Sequence, residues 1–271
     1  MSSAAAAEAV FSRVFGRGTR NVLAVHCGLA HSGAWRGVAE HLGDEASVTA
    51  FDLLSHGKSP DWDGQGDYQD RNVEIGLQLL QEPADLIGHS FGATVALRLA
   101  VARPDLVRSL TMIEPVFFAV AIADGSPAVA EMEAGEAPFR AAWEEGNAAL
   151  AARLFNRIWG PGEPKWPDLP EAARAGMTRS IHIIPAARPA LHGDRAGLQA
   201  PGVLGALTLP VLLIEGAETH PVMFDVTRGL ERRLPDARTE RVEGAGHMVP
   251  VTHPGATAAL LREFWQSRSP L

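Results

Sequence analysis

The chain has 271 residues, 46% of them apolar, and a formal net charge of −8 at pH 7. That composition supplies a sizeable core, and without a basic stripe the charge excludes a nucleic-acid partner. No apolar run is long enough for a membrane span, Met1–Glu8 lacks the layout of a secretory signal, and the single Cys27 fits a reducing compartment, so a cytoplasmic protein with no membrane partner is expected.

In chain order, Asn21–His26 reads as a buried strand, followed by a turn from Cys27 to Gly33. The spacing of Trp35, Val38, Ala39 and Leu42 predicts an amphipathic helix over 34–42. Ser47–Asp52 reads as a strand, and the Gly-, Pro- and Asp-rich loop 53–67 as surface. A helix over 68–81 leads to a short apolar strand, Ala84–Ile87, and a second helix follows from Phe91 to Arg103, stopped by Pro104. The strand 106–113 ends at Glu114-Pro115. Here the alternation breaks. Residues 116–204 look helical throughout, with Trp143, Trp159, Trp166 and a proline-spaced stretch, 160–167, that reads as a hinge. Strands at 209–214 and 239–242, with a helix at 222–234 between them and another at 255–266 after them, resume the pattern. The expected fold is α/β, a mostly parallel sheet with helices on both faces. Its core is 1–115 and 205–271, and 116–204 is a helical cap insertion.

Gly88-His89-Ser90-Phe91-Gly92 lies between the strand at 84–87 and the helix that follows. The pattern alone is weak in a chain with 27 glycines, but strand–turn–helix context gives it a mechanism. The serine sits on a strained turn with its hydroxyl pushed into a cleft, and only small residues fit beside it. Ser90 is the candidate nucleophile. A serine hydroxyl needs a base, and the base needs an orienting carboxylate. His247, in the glycine-flanked loop Gly244-Ala245-Gly246-His247, is the best base among the 10 histidines.

Several segments together carry a resemblance. They are Val25-His26-Cys27-Gly28-Leu29, the pentapeptide around Ser90, Leu209–Gly216, Gly244–Met248, and Asp52-Leu53-Leu54-Ser55-His56-Gly57-Lys58-Ser59. Over essentially its whole length the chain resembles the α/β-hydrolase superfamily. That resemblance implies a cofactor-free hydrolase with a Ser–acid–His triad. Many relatives carry the acid in a G-x-x-D pattern after the late strand, where this chain has Gly216-Ala217-Glu218-Thr219. Others place it at the end of the strand after the nucleophile helix, which makes Glu114 the expected acid and Glu218 the runner-up. The resemblance also implies an oxyanion hole built from two backbone N–H groups. Phe91 is expected to supply one and Leu29 the other, with Gly28 as the alternative because Cys27 blurs the register.

Cys27 reads as a small buried residue and His26 as a prop for its turn. His31, His56, His89 and His220 read as structural, and so do His182 and His192 in the insertion, with contact to a substrate as the alternative for those two. No metal-ligand spacing is present. The expected partner is a small-molecule acyl substrate, cleaved as an ester through an acyl-enzyme. Carbon–carbon hydrolysis, lactone opening or acyl transfer are alternatives on the same triad. A non-catalytic binding protein is the alternative from another class, and the missing Asp at Thr219 is its one signal. Oligomeric state leaves no mark on the sequence.

Overall fold

The computed structural model describes residues 10–160, 162 and 164–267. The alanine-rich start lies outside the described residues, as do Pro161 and Glu163 of the expected hinge. Seven strands form one sheet: β1 (Ser12–Phe15), β2 (Arg20–Val25), β3 (Ala46–Phe51), β4 (Ala84–His89), β5 (Val107–Ile113), β6 (Val211–Gly216) and β7 (Ala237–Val242). Their order is β1-β3-β2-β4-β5-β6-β7. Only β1 runs antiparallel, against β3; the other pairings are parallel.

The helices are α1 (Arg36–Leu42), α2 (Tyr68–Leu79), α3 (Phe91–Ala102), α4 (Phe118–Ala123), α5 (Ala128–Glu144), α6 (Ala148–Trp159), α7 (Glu171–Ser180), α8 (Ile183–Gly193), α9 (Pro221–Glu231), α10 (Val249–Thr252) and α11 (Pro254–Gln266). Alternate strand residues feed two cores. Val22, Ala24, Leu212 and Ile214 join Trp35, Val38, Leu261 and Phe264 on the face covered by α1 and α11. Leu23, Val25, Val211 and Leu213 join the other core with Leu97, Leu99, Val226 and Leu230 from α3 and α9. Burial on both faces explains why the central strands read as continuous apolar runs. Helix α3 is apolar nearly all round and correspondingly buried.

The sequence does not announce β1. Its residues alternate between exposed and half-buried, so no face is apolar enough to signal a strand, and its partner strand alone defines it. The loop after β3 also departs from expectation. Leu53, Leu54, Ser55, His56 and Ser59 are buried rather than on the surface. Asn72 and Tyr68 of α2 hold the Leu54 main chain, and the helices between β5 and β6 reach across the loop from the other side. Arg179 donates to Asp61 Oδ1 at 2.7 Å and to the carbonyls of Gly57 and Ser59. Ser180 Oγ donates to the Ser55 carbonyl at 2.7 Å. None of the described helices is long and apolar enough to cross a membrane.

A buried carboxylate stitches the opposite edge. Asp85, at the start of β4, is fully buried. It accepts from Arg20 of β2 at 2.8 and 3.1 Å, from Arg108 of β5 at 2.6 Å, and from Ser109 Oγ at 2.6 Å. Removing one partner of a buried charge pair leaves the others uncompensated. Asp85→Ala should therefore lower stability by about 3 kcal/mol, the low end for such pairs because both arginines are partly exposed. Urea unfolding of both proteins at pH 7.5 measures the difference.

Candidate active site

The parallel strands point their carboxyl ends at one edge, and the site is assembled there from the segments following β2, β4, β5, β6 and β7. Ser90 follows β4 directly, with φ +56°. Strand and helix meet so closely that a Cβ at Gly88 would lie 2.4 Å from the Gly92 carbonyl, and one at Gly92 would lie 2.3 Å from the Val25 carbonyl. Glycine is required at both flanks. Leu29, Ser55 and Glu114, after β2, β3 and β5, also have positive φ. Such left-handed conformations cost about 1–3 kcal/mol each in non-glycine residues, so strain gathers at this one edge.

Ser90 and His247 are each 8% exposed, and Glu114 is fully buried. His247 Nε2 lies 3.0 Å from Ser90 Oγ, and His247 Nδ1 lies 2.9 Å from Glu114 Oε2. Two further donors hold the carboxylate. The Gly216 N–H reaches Oε1 at 2.7 Å, and Thr219 Oγ reaches Oε2 at 2.6 Å. Thr219, which stands where many relatives carry the acid, is thus a donor to Glu114 at the end of the neighbouring strand. Glu218 is not brought to His247. Its side chain is exposed, and its backbone N–H bonds the Ala245 carbonyl.

The turn after β2 corrects a second expectation. The Leu29 N–H donates to His56 Nε2 at 3.0 Å, so it is already committed and is not a free oxyanion donor. Gly28 and Phe91 both line the cavity with Ser90. Phe91 opens α3, where the first N–H groups have no intrahelical acceptor, and the Gly28 N–H has no acceptor among the described residues.

The cavity over Ser90 has a volume of about 840 Å³. Phe118, Phe139, Trp143, Phe155, Ile183 and Leu191 give it a mainly apolar wall. Trp159 Nε1 donates to Glu136 at 3.0 Å, and its ring centroid lies 5.0 Å from that of His247. His192 lines this cavity, whereas His182 faces Ser55 Oγ at 3.0 Å. No group of three or more histidine, cysteine or carboxylate side chains among the described residues has metal-site geometry.

A model of the Alpha/beta hydrolase family matches residues 22–260. The chain belongs to that family. It is 31% identical over 266 residues to the pimeloyl-[acyl-carrier protein] methyl ester esterase of Methylococcus capsulatus, a match covering 94% of this chain and 98% of that one. It is 30% identical over 259 residues to the lipase LipV of Mycobacterium tuberculosis, covering 90% and 93%. Among solved structures, MenH from S. aureus superposes with a TM-score of 0.70 at 15% identity, over 95% of this chain and 98% of that one. The 2-hydroxy-6-oxo-6-phenylhexa-2,4-dienoate hydrolase of a Rhodococcus strain does so at 0.67 and 19%, over 95% and 99%. These structures share the fold. The chain is a hydrolase.

The expectation that His26 props its turn is borne out by its bond to the Cys27 carbonyl, but sequence reasoning missed the longer-range bonds by which several residues frame this hydrolase's site. His26 Nδ1 donates to the Cys27 carbonyl at 2.7 Å, and its Nε2 accepts from the Leu53 N–H at 3.0 Å. His56 Nδ1 donates to the Leu54 carbonyl at 2.9 Å while its Nε2 holds Leu29. His89 Nε2 donates to the carbonyl of His247 itself at 2.8 Å. Each reads from sequence as a structural histidine, and each braces a loop of the site. Nothing in their spacing shows which loop, since every bond crosses between distant segments or depends on a turn's shape. Thr219 and Trp159 were equally silent for the same reason. Burial pushes the Cys27 thiol up to about 12, so it remains a thiol at neutral pH.

Burial also drives the pKa of His26 down to about 4 and those of His56 and His89 down to about 3. The unfolded chain titrates these rings near 6.5, so on acidification it takes up the protons first. Stability is therefore complete above about pH 6.5 and is lost as pH falls toward 4. The expected loss is on the order of 1 kcal/mol per histidine per pH unit in that window. His192 is held at about 4 as well, by burial and the nearby Arg188, so urea unfolding at pH 7.5, 6 and 5 should show the midpoint dropping steeply, and His89→Gln should flatten the slope by about one quarter.

Proposed function

We propose that this protein is a carboxylic ester hydrolase that works through an acyl-enzyme on Ser90. The observation that carries the proposal is the unbroken hydrogen-bonded line from Ser90 Oγ through His247 to Glu114. Its two relatives named as a methyl ester esterase and a lipase both act on carboxylic esters by name, which favours an ester over the carbon–carbon, lactone and acyl-transfer alternatives. The complete line also removes the reason for a binding-only reading, because Glu114 supplies the acid that Thr219 lacks.

Ser90 Oγ attacks the ester carbonyl carbon while His247 Nε2 takes its proton. Glu114 fixes the ring with its proton on Nδ1 and stabilises the imidazolium that forms. The N–H groups of Phe91 and Gly28 receive the tetrahedral oxyanion. The intermediate collapses, His247 returns the proton to the departing alkoxide, and the alcohol leaves. Water then attacks the acyl carbonyl. His247 again takes a proton, and the carboxylic acid leaves as Ser90 regains its hydrogen. No cofactor or metal enters these steps. The helices between β5 and β6 act as a cap. Their aromatic wall excludes water from the acyl-enzyme and accepts an apolar acyl or alkoxy chain. The one buried thiol suits a cytoplasmic setting.

Hydrolysis of p-nitrophenyl esters from acetate to octanoate tests this reading. Ser90→Ala should fall by about 10⁴-fold or more, and Glu114→Gln by about 10³- to 10⁴-fold. Glu218→Gln should keep the wild-type rate, and Thr219→Val should fall about tenfold through loss of one hydrogen bond to the acid. A collapse in Glu218→Gln with Glu114→Gln intact would place the acid on the loop after β6 instead. Wild type that hydrolyses none of these esters would sink the esterase reading.

A further inference from the structure

Among the described residues, two rings pack against His247. His89 of β4 lies 5.4 Å away, centroid to centroid, and Trp159 of α6 lies 5.0 Å away at an interplanar angle of 63°. Trp159 is buried, and its indole also packs on Phe118 of α4 at 6.2 Å and on His220 at 5.8 Å. Its Nε1 donates to Oε1 of Glu136, from α5, at 3.0 Å. Glu136 is itself buried, in a cavity wall that is mainly apolar. Burying a carboxylate is costly. Burial raises the pKa of this one, against the Trp159 hydrogen bond and the pull of Arg140, whose Nη1 stands 3.7 Å from Oε2. Apolar side chains would fill the same space without that cost. What the carboxylate adds is a fixed orientation for the indole and an anion on its N–H. A hydrogen bond to such an acceptor polarises its donor, and an indole attracts a cation within about 6 Å of its centroid.

The ester mechanism forms a cation at that distance. Each half of the reaction passes through an imidazolium on His247. Glu114 meets that ring at Nδ1 and Ser90 at Nε2. His89 stays neutral, because burial and the nearby His247 drive its pKa down to about 3. Glu218 and His253 share a smaller polar cleft with His247 on another side. Beyond the indole, burial lowers the pKa of His220, with Glu131 opposing it, so this ring is also neutral near pH 7. Arg188 pairs with Glu133 at 2.6 Å. From the helices between β5 and β6, the group that meets the imidazolium is therefore an indole with a carboxylate behind it.

We propose that Trp159, oriented by Glu136, is a positioning residue for the base, steadying the imidazolium that forms on His247 in both halves of the reaction. The inference rests on the reading of His247 as the base of an ester hydrolase. It ties the helices over Ser90 to the chemistry beneath them, because α5 and α6 carry the two residues that support the ring.

The test is the pH profile of kcat/KM for p-nitrophenyl butyrate in wild type, Trp159→Leu, Trp159→Phe and Glu136→Gln, from the acid limb up to the plateau. This parameter reports the free enzyme, whose activity falls on the acid side as the base takes up a proton. An indole that stabilises the imidazolium holds the acid limb at higher pH and stabilises the transition state through the same interaction. Trp159→Leu should therefore lower the plateau by about fivefold and move the acid limb down by about 0.7 pH unit, one free energy read in two ways. Glu136→Gln keeps an acceptor for the indole N–H without the charge, and should move the limb down by about 0.3 unit. Trp159→Phe should fall between wild type and Trp159→Leu in both measures. Loss of packing alone would admit water to the imidazolium and move the limb up instead. Full recovery of rate on return to pH 7.5 separates titration from unfolding. A limb that stays put or rises in Trp159→Leu or in Glu136→Gln would overturn the inference and leave the hydrolase reading intact. Glu136→Gln decides alone if Trp159→Leu does not fold. Wild type that turns over no ester would overturn both.

Discussion

The buried carboxylate of Glu114 holds the site together. A charge with no solvent contact must find donors nearby, and this one finds three. They come from the Gly216 N–H at the end of β6, from Thr219 beyond it, and from His247 in the loop after β7. One side chain thus ties the end of β5 to donors 102, 105 and 133 residues further along the chain. Its own backbone is held at φ +49°. That strained conformation persists because β5 ends beside β6 and the carboxylate's bonds over-determine its position.

Close approach is the second constraint. The turn at Ser90 works because Gly88 and Gly92 let α3 lie almost on the ends of β2 and β4. The same contact puts the first N–H of α3 next to Ser90, the proposed nucleophile, where a developing negative charge would be received. The buried histidines serve this arrangement. His56 fixes the turn after β2, His26 joins that turn to the loop after β3, and His89 holds the main chain of His247. Neutral imidazoles suit such sites because each ring offers one donor and one acceptor without carrying a charge into the core.

The helices between β5 and β6 provide what the sheet edge lacks. They place aromatic and aliphatic groups over Ser90 and bring Trp159 against His247, so the surroundings of that ring are completed by residues remote from the sheet. Arg179 and Ser180 fasten the far side of this layer to the loop after β3. That fastening, with the hold of Asn72 and Tyr68 on Leu54, buries part of a glycine- and proline-rich segment that composition alone assigns to the surface.

Much of this protein was legible in its sequence. The alternation of short apolar runs with helical spacing specified a parallel sheet covered on both faces, because a strand buried on both sides needs continuous apolar residues. The glycines around Ser90 specified the elbow, because only a side chain of one hydrogen fits there. The histidine loop and Glu114-Pro115 were visible as motifs at strand ends. Other features were settled only in three dimensions. β1 has no apolar face of its own, so its partner β3 defines it. Leu29 and Gly28 could be told apart only when His56, twenty-seven residues away, was seen to take the Leu29 N–H. Glu114 and Glu218 could be told apart only by which carboxylate the fold turns inward. Local sequence fixes backbone shape through sterics and burial, but which polar group meets which depends on contacts between distant segments, and those exist only once the sheet has brought its strand ends together.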